Sequence, residues 1–155
     1  MKDEVFGNLT YDYLWEGIVK IKLYDKDYEL GLGINGEEEE GITQIQRDSY
    51  ILYKKNENEI AKQIQIAIYN YYKEIYKYER EKNDINILNK VPDVSEYLEM
   101  EKLITPIKFC IPELDDDENR EIDILFDCTW DFDLGMGIRI VNEKVTKIGV
   151  QNDVL

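Results

Sequence analysis

Between residues 60 and 78, apolar side chains recur at helical spacing. Ile60, Ile64, Ile68, Tyr71, Ile75 and Tyr78 are separated by steps of 4, 4, 3, 4 and 3. Such steps line one face of an α-helix. Ala61, Ala67, Tyr72 and Tyr76 widen the stripe, and a stripe this wide needs a sheet to cover it. The tyrosines at 69, 71, 72, 76 and 78 are read as core and rim packing, with their phenol ends reaching water. A stacking platform or a dimer face is the other use of such a run. A second helix is expected over about residues 44–54. Thr43 is its N-cap and Gln46, three residues on, completes a capping box. Asn56-Glu57-Asn58 separates the two helices.

On either side of this helical third the period changes to two. Residues 4–9 read as a strand, and 10–13 as a polar and aromatic connection. Over residues 15–24, Ile18, Lys20, Lys22 and Tyr24 alternate with Val19, Ile21 and Leu23. Tyr24-Asp25-Lys26-Asp27 holds a turn, and the return strand sets Tyr28, Leu30, Leu32 and Ile34 on one side. Past the helices, 83–89 is a connector and Val91-Pro92-Asp93 breaks any helix. Residues 95–102 form a short third helix capped near Asp93 or Ser95. Strands are then expected at 104–111, 122–130, 136–141 and 145–150, with Asn142-Glu143-Lys144 as a tight hairpin connection. The fold class is α+β. A bent, mainly antiparallel sheet is drawn from both chain ends, with two long helices and one short helix packed on one face.

At 155 residues the chain fits a single domain, 1–155, able to bury a core without staples. The net charge of −15 is unevenly spread. Residues 1–41 carry −7, residues 42–90 carry +2 and residues 91–155 carry −10. A surface this acidic repels phosphate backbones, which disfavours nucleic acid, and it either serves solubility alone or steers basic partners. No window is apolar enough for a signal peptide or a membrane span, so the expected location is cytoplasmic. Cys110 and Cys128 lack C-x-x-C spacing and are expected as buried free thiols.

Histidine is absent. This removes the commonest neutral-pH base, the Ser-His and Cys-His nucleophile pairs, and most zinc sites. No phosphate-cradling glycine loop or nucleophile elbow occurs, and no cofactor is expected. In the run from Asp115 to Glu121, Asp115, Asp117 and Asn119 stand at positions 1, 3 and 5 of a calcium loop. Arg120 stands where the sixth position needs glycine, however, and Phe126 where the twelfth needs glutamate. It is read as a solvated loop.

The stretch FDCTWDFDLGMGIRI, residues 126–140, reads as a β-hairpin. Asp127, Thr129 and Asp131 alternate with Phe126, Cys128, Trp130 and Phe132. Asp133 and Gly135 supply the turn, and Gly135 or Gly137 takes a positive φ or a bulge.

This stretch, with the closing NEKVTKIGVQNDVL, resembles the endings of small uncharacterised bacterial domain families. In these a Trp-Asp pair precedes a glycine-bearing turn, and a K-V-x-x-I-G-x-Q strand follows. The matching positions are Trp130, Asp131, Gly135, Gly137, Val145, Ile148, Gly149 and Gln151. Phe6-Gly7-Asn8-Leu9, Trp15 and Gly17 are compatible with the same families. The resemblance implies an α+β domain in a neighbourhood that includes immunity proteins of bacterial toxin systems, and it brings no catalytic residues.

The expected function is therefore a non-enzymatic acidic binding protein, an immunity-type inhibitor of a basic bacterial toxin. Glu37, Glu38, Glu39 and Glu40, with Asp115, Asp116, Asp117 and Glu118, are the candidate partner-binding groups. The alternatives are a self-assembling module, a homodimer through the tyrosine-rich helix, and a carboxylate-dependent hydrolase using Asp127, Asp131 and Asp133.

Overall fold

The computed structural model describes residues 1–81 and 91–155, the side chains of 79–81 excepted. The connector expected at 83–89 lies outside the described residues. Among the described residues, nine strands and three α-helices follow one another. They are β1 (Lys2–Asp3), β2 (Gly7–Asn8), β3 (Thr10–Tyr11), β4 (Trp15–Leu23), β5 (Lys26–Ile34), α1 (Gln44–Lys55), α2 (Glu57–Glu81), β6 (Ile104–Ile111), β7 (Glu121–Cys128), β8 (Asp131–Val141), β9 (Lys144–Gly149) and α3 (Gln151–Val154). A 3-10 helix spans Tyr97–Lys102. The fold is α+β, as expected.

Strands β3 to β9 form one sheet whose spatial order is the order of the chain. All pairings in it are antiparallel except β5 with β6, which the helical segment joins as a parallel pair. A parallel pair needs such a crossover, because a tight turn cannot reverse the direction twice. The β4–β5 turn is two residues long, with Tyr24 and Asp25 both at positive φ (52° and 58°). The β8–β9 turn repeats this geometry at Asn142 and Glu143 (49° and 63°). Both match the twist of the flanking strands.

The core lies between the sheet and α1 and α2. Val19, Ile21 and Leu23 of β4 and Leu30, Leu32 and Ile34 of β5 are buried there as the alternation predicts. Ile60, Ile64, Ile68 and Tyr72 meet them from α2. Tyr69, Tyr71 and Tyr76 are half-buried against the core and Tyr78 is exposed. Burying this stripe removes the apolar area that a lone 25-residue helix would leave in water, at roughly 25 cal/mol per Å². No helix among the described residues is long and apolar enough to cross a membrane.

Several expectations are corrected. The strand expected at 4–9 is instead a small hairpin of β1 and β2. Asp3 Oδ1 accepts from the Val5 and Phe6 amides (2.8 and 3.1 Å), an Asx turn that outcompetes extension. Asn56 alone interrupts the helices. The third helix is 3-10, and its N-cap is Glu96 with no side-chain cap bond, rather than Asp93 or Ser95. Ser95 bonds Glu99 instead.

The hairpin of the 126–140 stretch turns at Thr129 and Trp130, not at Asp133 and Gly135. Trp130 packs on Tyr72 of α2, ring centroids 5.0 Å apart, and this anchor places the turn. Gly135 then takes the positive φ (60°) at the register shift. A Cβ at Gly135 would lie 2.7 Å from Phe126 O and would also displace Gln151, whose Nε2 donates to that carbonyl at 2.9 Å. A Cβ at Gly137 would meet Val154 at 2.9 Å. These two glycines therefore seat α3, which the periodicity does not reveal, on the sheet face opposite α1 and α2.

Candidate functional site

Because β5 and β6 are parallel neighbours, with Ile34 opposite Ile111, the segments that follow them leave the sheet at the same end. The first carries Glu37, Glu38, Glu39 and Glu40 and the second Asp115, Asp116, Asp117 and Glu118, all exposed. The fold thus brings the two predicted acid clusters to one rim.

Gln46 fixes the rim from below. Its Nε2 donates to Asn35 O (2.7 Å) and Pro112 O (3.2 Å), one carbonyl from each segment. Its Oε1 accepts from the Thr43 amide (3.0 Å), which completes the capping box read from sequence. Asp116 accepts from the amides of Asn119 (2.9 Å) and Glu118 (3.0 Å), and those bonds, Asn119's first, hold its carboxyl below the usual range. Asp116 therefore shapes its loop, while its neighbours point to water. On the far side Arg120 makes a bidentate bond to Glu143 (2.9 and 2.8 Å).

Under this rim, on the face away from α1 and α2, lies a cleft of about 660 Å³. Its floor follows the sheet register, from Gly33 to Cys110, Asp123 and Arg139 on four adjacent strands. At Gly33 the absent side chain leaves room for Leu14 and Lys108, which a Cβ would meet at 2.9 and 3.1 Å. Glu37, Glu113, Lys108 and the 91 % exposed Tyr13 stand at its walls, and Leu155 closes one side.

Asp123 is only 3 % exposed. Its Oδ1 accepts from Arg139 Nε at 3.1 Å, and Glu121 shares the same nitrogen at 3.3 Å. Arg139 Nη2 also donates to Val154 O, which ties the cleft to α3. Burial is the main cause that pushes the Asp123 carboxyl up, to about 7, with repulsion from Glu121 adding to it. The Arg139 guanidinium opposes this without cancelling it. Burial likewise raises the Cys110 thiol. Both cysteines are free and buried, as expected.

Among the other predicted residues, Trp130 and Gly137 play the packing parts described above. Asp131 Oδ1 accepts from the Leu134 amide (3.0 Å) at the start of β8. Asp127 and Asp133 are exposed, and none of these three aspartates lines the cleft. Among the described residues, no three acids or cysteines are grouped to hold a metal ion.

Sequence reasoning missed Glu121, Asp123 and Arg139. The available signal was Asp123 itself, one acid inside the otherwise apolar run Ile122-Asp123-Ile124-Leu125-Phe126. No curated protein and no solved structure matches the chain. Along nearly its whole length, residues 5–155, it matches a domain of unknown function, and it belongs to that family, DUF6985.

Proposed function

We propose that this chain is a non-enzymatic binding protein whose acidic rim receives a basic protein, in the manner of an immunity-type inhibitor that covers a bacterial toxin. The observation that carries the reading is the convergence of the two acid clusters on one end of the sheet through the parallel β5–β6 pair. Glu37 to Glu40 form no ion pair among the described residues, so their charge faces outward. A one-signed patch of this kind focuses the field, speeds encounter and rejects like-charged partners. The backing is rigid, since Gln46 binds both rim segments to the first turn of α1. The resemblance of residues 126–151 to families near toxin-immunity proteins points the same way.

The test begins with capture of a basic partner from a lysate of the source organism at low salt, followed by association kinetics with the purified pair. Changing residues 37–40 from Glu to Lys is expected to slow association at least tenfold at low ionic strength, with the gap closing in ~1 M salt, where the Debye length is about 3 Å. An unchanged rate at low salt would sink the reading.

A further inference from the structure

The cleft beneath the rim contains four carboxyl groups, those of Glu37, Glu113, Glu121 and Asp123, against two cations, Lys108 and Arg139. Both Glu121 and Asp123 rest on the single guanidinium of Arg139. One of those carboxyls is therefore short of a positive partner, at a place where Asp123 is almost wholly buried. Lys108 does not make good the shortage. Its side chain lies over Gly33, and it forms no ion pair among the described residues. A buried, under-compensated carboxyl attracts a second cation, because the interaction is strong where water is excluded. An anion drawn to Lys108 would meet the surplus acid instead.

The volume falls within the range of small-ligand sites, roughly 300–1,000 Å³. Tyr13 lines the entrance. It presents an aromatic face to water, on which a guanidinium stacks well.

We propose that this cleft receives one basic side chain, an arginine or lysine, projected by the protein partner that the rim attracts. The inference rests on the rim reading for its partner, but the cleft chemistry is testable without one. Two charged carboxylates on one arginine are unfavourable in the empty cleft, so the pair retains a proton near neutral pH. An incoming cation displaces that proton, and binding is therefore linked to proton release. The groups facing the pair are Lys108 and Cys110 from β6 and Arg139 from β8, with Glu37 and Glu113 at the mouth.

The experiment uses the full chain with N-acetyl-arginine amide as the probe and N-acetyl-citrulline amide as its neutral isostere. Binding is followed by calorimetry in two buffers of different ionisation enthalpy, and by amide NMR shifts. The arginine probe is expected to shift the amides of Gly33, Cys110 and Asp123 and to release a proton. It should bind roughly tenfold more weakly at pH 6 than at pH 8, the spread that one proton titrating near 7 produces. Citrulline should be silent. Asp123→Asn should remove both the proton release and the pH dependence, and Glu121→Gln provides the same test should the first variant fold poorly.

Equal responses to the two amides, or shifts confined to residues 38–40, would overturn the proposal. So would inorganic phosphate shifting the cleft amides where the arginine probe does not. Changing Glu38, Glu39 and Glu40 to Lys, none of which lines the cleft, should leave probe binding in place. Failure of the rim reading and failure of the cleft inference are thus separately visible.

Discussion

Gln46 makes more of this architecture than its size suggests, since one buried amide closes a helix N-terminus and joins two loops. Gln46→Ala would leave two carbonyls and one amide without that partner. Part-buried hydrogen bonds such as these three contribute about 0.5–1.5 kcal/mol each, so a loss of about 2 kcal/mol is expected by urea denaturation, above the ~1 kcal/mol of an ordinary N-cap loss. A loss no larger than that of Thr43→Ala would show that the two loops do not depend on it. Glycines offer a second comparison at this scale. Gly135 and Gly41 both sit at positive φ (60° and 73°), but only Gly135 has neighbours where a Cβ would go. Gly41→Ala should cost about 1–2 kcal/mol from the backbone alone. Gly135→Ala should cost clearly more, because Phe126 O and Gln151 must also move. Equal losses in a denaturation series would show that the close packing around Gly135 adds nothing to its cost.

At the scale of elements, the α2 stripe and the sheet alternation explain one another. Ile64 is fully buried and Ile66, two residues on, is 40 % exposed. Ile64→Ala is expected to cost about 2–5 kcal/mol through lost burial and the cavity left behind. Ile66→Ala should stay within about 0.5 kcal/mol. Matching losses would mean that the helix is rotated from the face assigned to it. The tyrosines of α2 follow the same logic. Tyr72 lies in the core against Trp130, so the run is chiefly packing. The β7–β8 hairpin shows an element whose existence was legible while its turn was not. Its alternation runs through Cys128, but local glycine and aspartate preference points to Asp133 and Gly135 for the turn. The Trp130–Tyr72 contact, made across the molecule, decides the turn.

At the scale of the whole molecule, charge and titration set the behaviour. Asp123 is raised from its ordinary 3.8 to about 7 in the folded chain. Between those values the native state holds a proton that the unfolded state has released. Its contribution is therefore fully present below about pH 4 and is lost as pH rises through about 7. Asp3 has the opposite sign. Burial alone would raise it, yet its bonds to Arg47, Val5 and Phe6 bring it below 3.8. Its contribution is present above that value and is lost as pH falls through its lowered pKa. Asp123→Asn should thus gain stability relative to the parent chain as pH increases from 4 to 8, read as the difference in Tm at each pH. A difference that does not change with pH would show that Asp123 does not titrate in this window. The rim acts at the same scale. Its predicted tenfold effect on association at low salt depends on summed charge and not on any one glutamate.

What the sequence determined alone was what can be summed or counted along the chain. Periods of 3.6 and 2 named the long helix, β4 and β5, and the presence of the C-terminal strands, because those periods reflect which faces must leave water. Local chemistry named the Thr43–Gln46 cap and the hairpin connection at Asn142-Glu143-Lys144, of which Lys144 already belongs to β9. The absence of histidine and the net charge narrowed the chemistry. Tertiary structure alone decided what depends on neighbours distant in the chain. The parallel pairing of β5 with β6 unites the two acid clusters. Adjacent strands place Cys110, Asp123 and Arg139 in one row. Glycines at 135 and 137 read as turns or bulges in isolation, yet their missing side chains also make room for α3. A carboxylate's burial and its partners are set only when the sheet closes around it, so no pattern within the strand that carries Asp123 could disclose its shared arginine.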